Sequence, residues 1–257
     1  MKIDLARLLA ESCLQGGEWW DQIGSTNDRA LDLANQTTTD TPFLVGTNQQ
    51  TSGRGRGTHQ WWSADGSLLF SIVADMPQFG LNPAKWPQLS LATGLAISEA
   101  LATFLPAARV GLKWPNDVWV DGRKVCGILI EQANPQRLIV GIGLNVNNSF
   151  QTAPENQRRV AISMSDANDG QPFSRMDVLL AFLQYWRRRV QELADGEFQL
   201  VERWSRVCVL SGRPVTVTIG QQELTGICAG IDEDGSLLLR TPFALEHCHA
   251  GTVRLLD

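Results

Sequence analysis

The stretch VGLKWPNDVWVDGRKVCGILIE, residues 110–131, decides the fold because it holds three apolar runs separated by turn signals. The runs have strand length and cover residues 110–113, 118–120 and 125–131. Pro115 interrupts the first junction, and Asp121-Gly122 at the second is a strong signal for a tight hairpin. The stretch therefore predicts neighbouring strands of one β-sheet.

Outward from this stretch, strands are predicted at residues 43–45, 67–74 and 137–147, and helices at 89–104 and 178–193. Residues 1–11 predict a short amphipathic helix. Hairpins mixed with helices, rather than strict alternation of strand and helix, favour an α+β fold with a mixed β-sheet covered by helices.

Two segments depart from this pattern. Residues 148–174 are rich in Asn, Gln, Ser, Asp and Gly, which predicts a long mobile loop. After Arg206, short alternating segments separated by glycine turns such as Asp234-Gly235 predict a small C-terminal β-barrel. We therefore expect one domain over residues 1–206 and a second over residues 207–257.

Composition limits the class of function. The 257 residues contain 22 Lys and Arg against 27 Asp and Glu, a net charge of −5, which argues against a broad nucleic-acid or anionic-membrane surface. The five cysteines form no C-x-x-C pair and predict reduced thiols in a cytoplasmic protein. No run approaches the roughly 20 apolar residues of a membrane span.

The run QTSGRGRG, residues 50–57, alternates glycine with arginine inside this acidic chain. Glycines let backbone N–H groups close around a ligand, and arginines add fixed positive charge, so the run predicts an anion-binding loop. A dinucleotide fingerprint would need a third glycine where Thr58 stands, and no Gly-Lys-Ser/Thr follows. Another phosphate chemistry is indicated.

Two strand features also suggest a site. In a regular strand Lys124 shares a face with Cys126 and Ile128, where an ammonium is costly unless it meets an anion, although it also lies near enough to the turn to reach water. Gly141 and Gly143 lie on one face of a strand and leave a floor for a flat ligand, or alternatively mark a bulge. Ser25-Thr26-Asn27 alone reads as a helix N-cap.

Together these motifs resemble the biotin protein ligases over nearly the whole chain. The matching segments, in order, are residues 24–27, 50–56, 113–117, 124–131 and 141–145. The resemblance implies a class II aminoacyl-tRNA-synthetase-like catalytic fold and an SH3-like C-terminal domain. It also implies that biotin and ATP form biotinyl-5′-adenylate, and that biotin then passes to a lysine of the biotin carboxyl carrier protein, an acetyl-CoA carboxylase subunit.

The resemblance also implies roles for individual residues. It implies catalytic roles for five residues: Arg54, Arg56, Lys113, Asp117 and Lys124. It places biotin against Ser25, Thr26, Asn27, Gln50, Gly53, Arg54, Gly55, Arg56, Lys124, Gly127, Gly141 and Gly143. It places ATP against Arg56, Trp61, Asn116, Lys124 and Asn145. Mg²⁺ is expected with ATP, with Asp117 as its ligand.

Some points depart from the family or stay open. Gly57-Thr58-His59 stands where a further glycine and arginine are expected, and residues 148–174 hold no tryptophan for adenine. Only 24 residues precede Ser25, too few for the winged helix of relatives that act as repressors, so no nucleic-acid partner is expected. A lipoate or octanoyl protein ligase and a non-catalytic biotin sensor are the alternatives. A homodimer is an open alternative to a monomer.

Overall fold

The structure is a computed structural model that describes residues 3–36, 38–105, 110–150 and 153–256. Its main sheet has seven strands: β1 Gly16–Ile23, β2 Phe43–Gln50, β3 Leu68–Asp75, β4 Val110–Lys113, β5 Asp117–Val120, β6 Arg123–Gln132 and β7 Arg137–Leu144. The spatial order is β1-β2-β3-β7-β6-β5-β4. Among the seven strands that the structure describes here, β1 and β2 form the one parallel pair, so the predicted mixed sheet is confirmed.

Strand β1 was not among the predicted strands. Its sequence GGEWWDQI starts with two glycines and has the polar pair Asp21-Gln22 before its last residue, so it lacks the apolar alternation of a half-buried strand. It lies at the sheet edge and is held there by its parallel pairing with β2. Tertiary pairing therefore overrides a weak local preference.

Helices cover both faces of the sheet. They are α1 Leu5–Glu11, α2 Thr26–Ala34, α3 Leu89–Ala102, α4 Glu155–Val160, α5 Arg175–Asp195 and α6 Leu200–Val207. On one face α2 packs against β2, β3 and β7 through a small cluster that includes Ala30, Val45 and Ile139. On the other face α3 and α5 form the large core, where the rings of Phe70 and Phe182 lie 5.5 Å apart.

The C-terminal part is the predicted small antiparallel barrel of SH3-like type. Its strands are β8 Pro214–Ile219, β9 Gln222–Ile231, β10 Leu237–Arg240, β11 Leu245–Cys248 and β12 Thr252–Leu255, in the order β11-β10-β9-β8-β12. It is docked on the main domain: the Trp114 indole N–H donates to the Gly235 carbonyl at 3.0 Å, and Gln88 Nε2 donates to the Glu233 carbonyl at 3.0 Å. The turn between β9 and β10 is therefore fixed next to the motif KWPND.

The prediction of a mobile loop over residues 148–174 was wrong for part of that segment. Besides α4, residues 161–165 are buried against the sheet. The Met164 N–H donates to the Asn145 carbonyl and the Ser165 N–H to the Val146 carbonyl, both at 2.9 Å. These backbone bonds beyond the end of β7 hold the segment, and composition does not reveal them. Residues 151–152 of the predicted loop lie outside the described residues.

Across the described parts of the chain, no helix combines the length and the apolar character needed to cross a membrane.

Candidate functional site

A cavity of about 280 Å³ opens where the main sheet, the glycine-arginine loop and the barrel meet. Segments from all five sequence motifs line it, and the barrel adds Gly251 and the first two residues of β12. The lining includes Ser25, Thr26, Asn27, Gln50, Arg54, Gly55, Arg56, Trp61, Lys113, Asn116, Asp117, Lys124, Gly127, Gly141, Gly143, Gly251, Thr252 and Val253. Residues far apart in sequence thus share one concave, partly polar site, which is typical of ligand binding.

The glycine-arginine loop folds as a small hairpin over this cavity. Gly55 donates its N–H to the His59 carbonyl at 2.8 Å, and the Trp61 N–H donates to the Gly53 carbonyl at 3.0 Å. Gly57 turns the hairpin with φ +60°, a conformation that glycine adopts without strain. The departure at residues 57–59 therefore forms the tip of this hairpin.

The two arginines of the loop have different surroundings. Arg54 makes two hydrogen bonds to Glu131, at 2.8 and 2.6 Å, and a further ion pair to Asp28 at 2.8 Å, so its charge is balanced inside the protein. Arg56 lines the cavity and donates from Nη1 to the Gly251 carbonyl of the barrel at 3.2 Å. Partial burial lowers the pKa of Arg56 below its usual value, yet a guanidinium stays charged at neutral pH.

Lys124 lies on the cavity side of β6, and the prediction that it shares a face with Cys126 and Ile128 was wrong. A register shift between β5 and β6 sets Trp119 opposite Lys124 and Val118 opposite Cys126. This bulge inserts one residue and reverses the alternation of faces. The Lys124 ammonium is therefore over Gly127, 2.6 Å from Asp117 Oδ1.

The charges in the cavity favour an anion. Arg56, Lys113 and Lys124 face Asp117, which is the one carboxylate among the lining residues that the structure describes. Burial lowers the pKa of Lys113, and its Nζ lies 5.0 Å from the centre of the Trp119 ring. Cations held in a half-buried pocket attract phosphate and carboxylate groups more strongly than they would in open water.

A tryptophan lies on the predicted glycine floor. Gly127 and Gly143 are direct partners on β6 and β7, and the Trp61 indole covers both. A Cβ atom on Gly143 would lie 2.5 Å from Trp61 Cε2. Within the described residues the Trp61 indole N–H is buried and has no hydrogen-bond partner. The Trp61 ring therefore lies on the glycine floor and forms one wall of the cavity.

Gly141 serves a different neighbour from Gly143. A Cβ atom there would lie 2.0 Å from Asn27 Oδ1, so only glycine admits the Asn27 amide. That amide donates to the Leu129 carbonyl at 3.3 Å and to Glu131 at 2.7 Å, and it accepts from the Ser71 hydroxyl at 2.6 Å. Both of its N–H groups are thus used within the protein.

A cluster of uncharged polar groups lies beside Asn27. Gln50 Oε1 accepts from the Thr26 N–H at 2.8 Å and from the Thr26 hydroxyl at 3.2 Å. Ser25 is at the N-cap position of α2, but its hydroxyl makes no capping hydrogen bond and the residue lines the cavity. The predicted N-cap position is therefore confirmed, but the Ser25 hydroxyl does not cap the helix and is available to a ligand.

Asn116 lies at the turn between β4 and β5, where it lines the cavity and donates from Nδ2 to the Ile128 carbonyl at 2.7 Å. Two other predicted residues do not line the cavity. Gly53 borders a neighbouring groove outside the loop. Asn145 is only 3% exposed, and its Oδ1 accepts from Asn148 Nδ2 at 3.1 Å. The structure thus leaves Asn145 without an evident route to the nucleotide.

The sequence assigned no role to Ser71, Glu131 or the barrel residues Gly251 and Val253. Glu131 belongs to a motif segment, and its acidic side chain at the end of an apolar strand was a usable signal. Ser71 sits in the middle of the buried strand β3 and is fully buried. A serine inside an apolar run requires a hydrogen-bond partner, but the sequence does not say which.

The described residues do not form a metal site by themselves. No group of three or more His, Cys, Asp or Glu in those parts of the chain is arranged to hold an ion. The Oδ1 atom of Asp117, the expected ligand, is bound to the Lys124 ammonium. The geometry therefore favours a role of Asp117 toward Lys124 over a role as a metal ligand.

Comparisons with known proteins agree with this geometry. A profile of the Biotin/lipoate A/B protein ligase family matches residues 19–147, and one of the Biotin protein ligase C terminal domain matches residues 210–256. The chain is 33% identical over 247 residues to the biotin–[acetyl-CoA-carboxylase] ligase of Mycobacterium tuberculosis, covering 91% of this chain and 88% of that protein. The corresponding ligase of Paracoccus denitrificans is 32% identical over 231 residues, covering 85% and 91%.

A solved structure shows the same architecture. The biotin protein ligase of Aquifex aeolicus, in complex with biotin and ATP, superposes with a TM-score of 0.80 at 29% sequence identity. The match covers 95% of this chain and 99% of that one, so it includes both the main sheet and the barrel.

Proposed function

Because the chain belongs to the biotin protein ligase family, we propose that it joins biotin to ATP, forming biotinyl-5′-AMP, and transfers biotin to a lysine of a biotin carboxyl carrier protein. The observation that carries this proposal is that one cavity has two different ends. The cations Arg56, Lys113 and Lys124 lie at the end next to Asp117, and the neutral polar groups lie at the end around Gln50. A charged end suits the reacting phosphate and carboxylate. A neutral end suits the ureido ring of biotin.

In the first step the biotin carboxylate attacks the α-phosphate of ATP, and pyrophosphate leaves. Two negative groups must approach each other, so cations already in position lower the barrier most. We assign this role to Lys124 and Arg56, because both line the cavity and Lys124 is oriented by Asp117 at 2.6 Å. Arg54 has a different part, because its charge is already balanced by Glu131 and Asp28.

The ureido ring requires both donors and acceptors. Ser25 offers its hydroxyl, and the Gln50 carbonyl is held by Thr26, which leaves the Gln50 amide N–H groups for the ligand. Because Asn27 spends both of its N–H groups inside the protein, we propose that it positions this cluster more than it contacts biotin. A site that pairs a polar ring in this way rejects analogues that lack the ring's N–H or C=O groups.

In the second step the amine of the carrier lysine attacks the acyl group of the adenylate, and AMP leaves. The amine must be neutral to attack, and water must be kept out while the adenylate waits. We propose that the loop hairpin closes the cavity and that Asp117 accepts a proton from the incoming ammonium. The neighbouring Lys124 ammonium, 2.6 Å from Asp117 Oδ1, holds the carboxylate in place.

Several finer points belong to the same proposal. The catalytic unit covers residues 1–206 and the barrel unit 207–257, although barrel residues line the cavity. Mg²⁺ enters with ATP and is held mainly by phosphate oxygens, as this ion commonly is. The five free thiols suit a cytoplasmic protein. A homodimer stays a prediction, which size measurements with and without biotin and ATP will test.

The alternative is a lipoate or octanoyl protein ligase, since the matching family profile includes both activities. Lipoate has an apolar head without ureido groups, so it would leave the polar cluster at Gln50 and Ser25 unpaired, which is costly. That cluster favours biotin.

Mass spectrometry of a carboxyl carrier domain incubated with the protein, ATP, Mg²⁺ and biotin tests the proposal. We expect the carrier to gain one biotin, and Lys124→Ala to lower the rate of adenylate formation by about 10²–10³. Arg123→Ala is the matched control, because Arg123 is the exposed neighbour on the same strand. A lipoylated but not biotinylated carrier would support the alternative, and full activity of Lys124→Ala would remove Lys124 from the mechanism.

A further inference from the structure

We propose that Glu131 is a positioning residue that latches the glycine-arginine loop to the sheet and fixes Asn27 at the same time. The inference rests on the proposed function, since it assigns loop closure and the biotin site to one carboxylate. Glu131 lies at the end of β6, on the rim of the cavity, and does not itself line it.

The contact to the loop is strong by its geometry. Arg54 Nη1 donates to Glu131 Oε1 at 2.8 Å and Nη2 donates to Oε2 at 2.6 Å, so the guanidinium and the carboxylate meet fork to fork. The two residues are 77 positions apart in sequence. Both side chains are partly buried, with exposed fractions of 25% for Glu131 and 36% for Arg54. Bidentate, partly buried pairs of this kind fix orientation as well as distance.

The same carboxylate holds the polar cluster. Glu131 Oε2, which accepts from Arg54, also accepts from Asn27 Nδ2 at 2.7 Å. The Asn27 carbonyl accepts from the Ser71 hydroxyl, which is 2.7 Å from the Thr26 hydroxyl oxygen. A continuous set of hydrogen bonds therefore runs from Arg54 through Glu131 to Thr26.

Asp28 also contacts Arg54, but its contribution differs. The ion pair measures 2.8 Å, and the Asp28 side chain is 57% exposed, so water and salt weaken the pair. Within the part of the chain that the structure describes, the Asp28 side chain makes no hydrogen bond to the polar cluster, whereas Glu131 joins the cluster to the loop. Asp28 therefore provides a matched control for the charge of the latch without its geometry.

The consequence is that loop closure and order in the biotin site are coupled. When the loop opens, Glu131 loses Arg54 and is left with Asn27 alone, so the orientation of both side chains relaxes. When Glu131 is neutralised, the loop opens more often and the cluster loses its anchor. The effect on biotin binding should therefore exceed the effect on the rate once both substrates are saturating.

Limited proteolysis with trypsin tests the latch without any need for catalysis, because the loop carries cleavable arginines. We expect Glu131→Gln to raise the rate of cleavage after Arg56 by about 10- to 100-fold, since the loss of a hydrogen bond to a charged group shifts an opening equilibrium by about this factor. Asp28→Asn should change it less than about twofold. Equal cleavage rates in Glu131→Gln and the unchanged protein would overturn the latch.

Two further measurements separate a latch from general destabilisation. Arg54→Gln and the double variant Arg54→Gln/Glu131→Gln should be cleaved after Arg56 at the same rate, because the pair acts as a unit. If the effects of the two substitutions on the cleavage rate multiply in the double variant, the pairing of Arg54 with Glu131 is overturned. In the ligase assay Glu131→Gln should raise the KM for biotin about tenfold with a smaller change in kcat, and an unchanged KM would overturn the link to the biotin site.

A failure of the proposed function remains distinguishable from a failure of the latch. If the protein forms no biotinylated carrier but its variants show the expected cleavage pattern, the latch proposal is supported and the proposed ligase function is refuted. If Glu131→Gln does not fold, Arg54→Lys replaces it, since lysine keeps the charge but not the bidentate geometry. Arg54→Lys cleaved no faster than the unchanged protein would then overturn the proposal.

Discussion

Replacing Gly143 by alanine should displace Trp61 from the sheet. The added Cβ would lie 2.5 Å from Trp61 Cε2 and 2.8 Å from Cδ2 and Cζ2, whereas carbon atoms pack at about 3.5–4.0 Å. The indole is rigid, and β7 is bonded to β3 and β6 on its two sides, so neither can yield easily. The ring must therefore rise by roughly 1 Å into the cavity.

This displacement has a cost in stability and in binding. Forcing one methyl group into a packed contact typically costs about 1–3 kcal/mol, and for a chain of this size each kcal/mol lowers Tm by about 2–4 °C. Thermal unfolding and the KM values for biotin and ATP measure the two effects. Gly127→Ala is the milder comparison, because its Cβ meets Trp61 at 3.0 Å and the flexible end of Lys124 at 3.1 Å.

A second variant identifies the cause. Trp61→Phe removes part of the ring, so the double variant with Gly143→Ala should lose less stability than the sum of the single variants. If Gly143→Ala keeps both the Tm and the substrate KM values of the unchanged protein, the indole does not lie on this glycine, and the account of the cavity wall is refuted.

Two other predictions follow from single contacts. Trp114→Phe keeps an aromatic ring in the core but removes the indole N–H that donates to the Gly235 carbonyl. We expect the free energy of unfolding to fall by about 1 kcal/mol and the KM for ATP to rise. An unchanged KM would show that this hydrogen bond does not position the barrel. Burial lowers the pKa of Lys113, so the unfolded chain binds this proton more tightly, and Lys113 makes stability rise with pH between its folded pKa and its ordinary value. Lys113→Met should remove that rise, increase stability by about 0.5–2 kcal/mol at neutral pH and slow adenylation, as denaturant titrations at two pH values and the ligase assay will show.

The strands and the large helices were predictable because their apolar residues repeat with the period of the element that they form. The hairpin at Asp121-Gly122 is also a local property, since the turn type requires those residues; both have positive φ. Strand β1 was missed because its pairing with β2 supplies the stability that its own sequence lacks. The side on which Lys124 lies was mispredicted because a bulge depends on how two strands align.

The resemblance to the biotin protein ligases, carried by the motifs taken together, implied which motif segments meet in the site. They did not predict how the charges divide between Arg54 and Arg56, because the sequence cannot show that Glu131 lies beside one of them and the barrel beside the other. The same limit applies to the floor of the cavity. The glycines predict that some group approaches the strand closely, but only the structure shows that this group is Trp61 at Gly143 and Asn27 at Gly141.

The sequence by itself determined most of the elements and predicted an anion-binding loop at residues 50–57, since periodicity, turn chemistry and residue type are local properties of the chain. The set of segments expected to form the site was what the resemblance to the biotin protein ligases implied. Tertiary structure alone decided which arginine faces the cavity, which partner each glycine admits and that the barrel closes one wall. These outcomes depend on distances between residues far apart in sequence, and such distances are fixed only when the whole core packs.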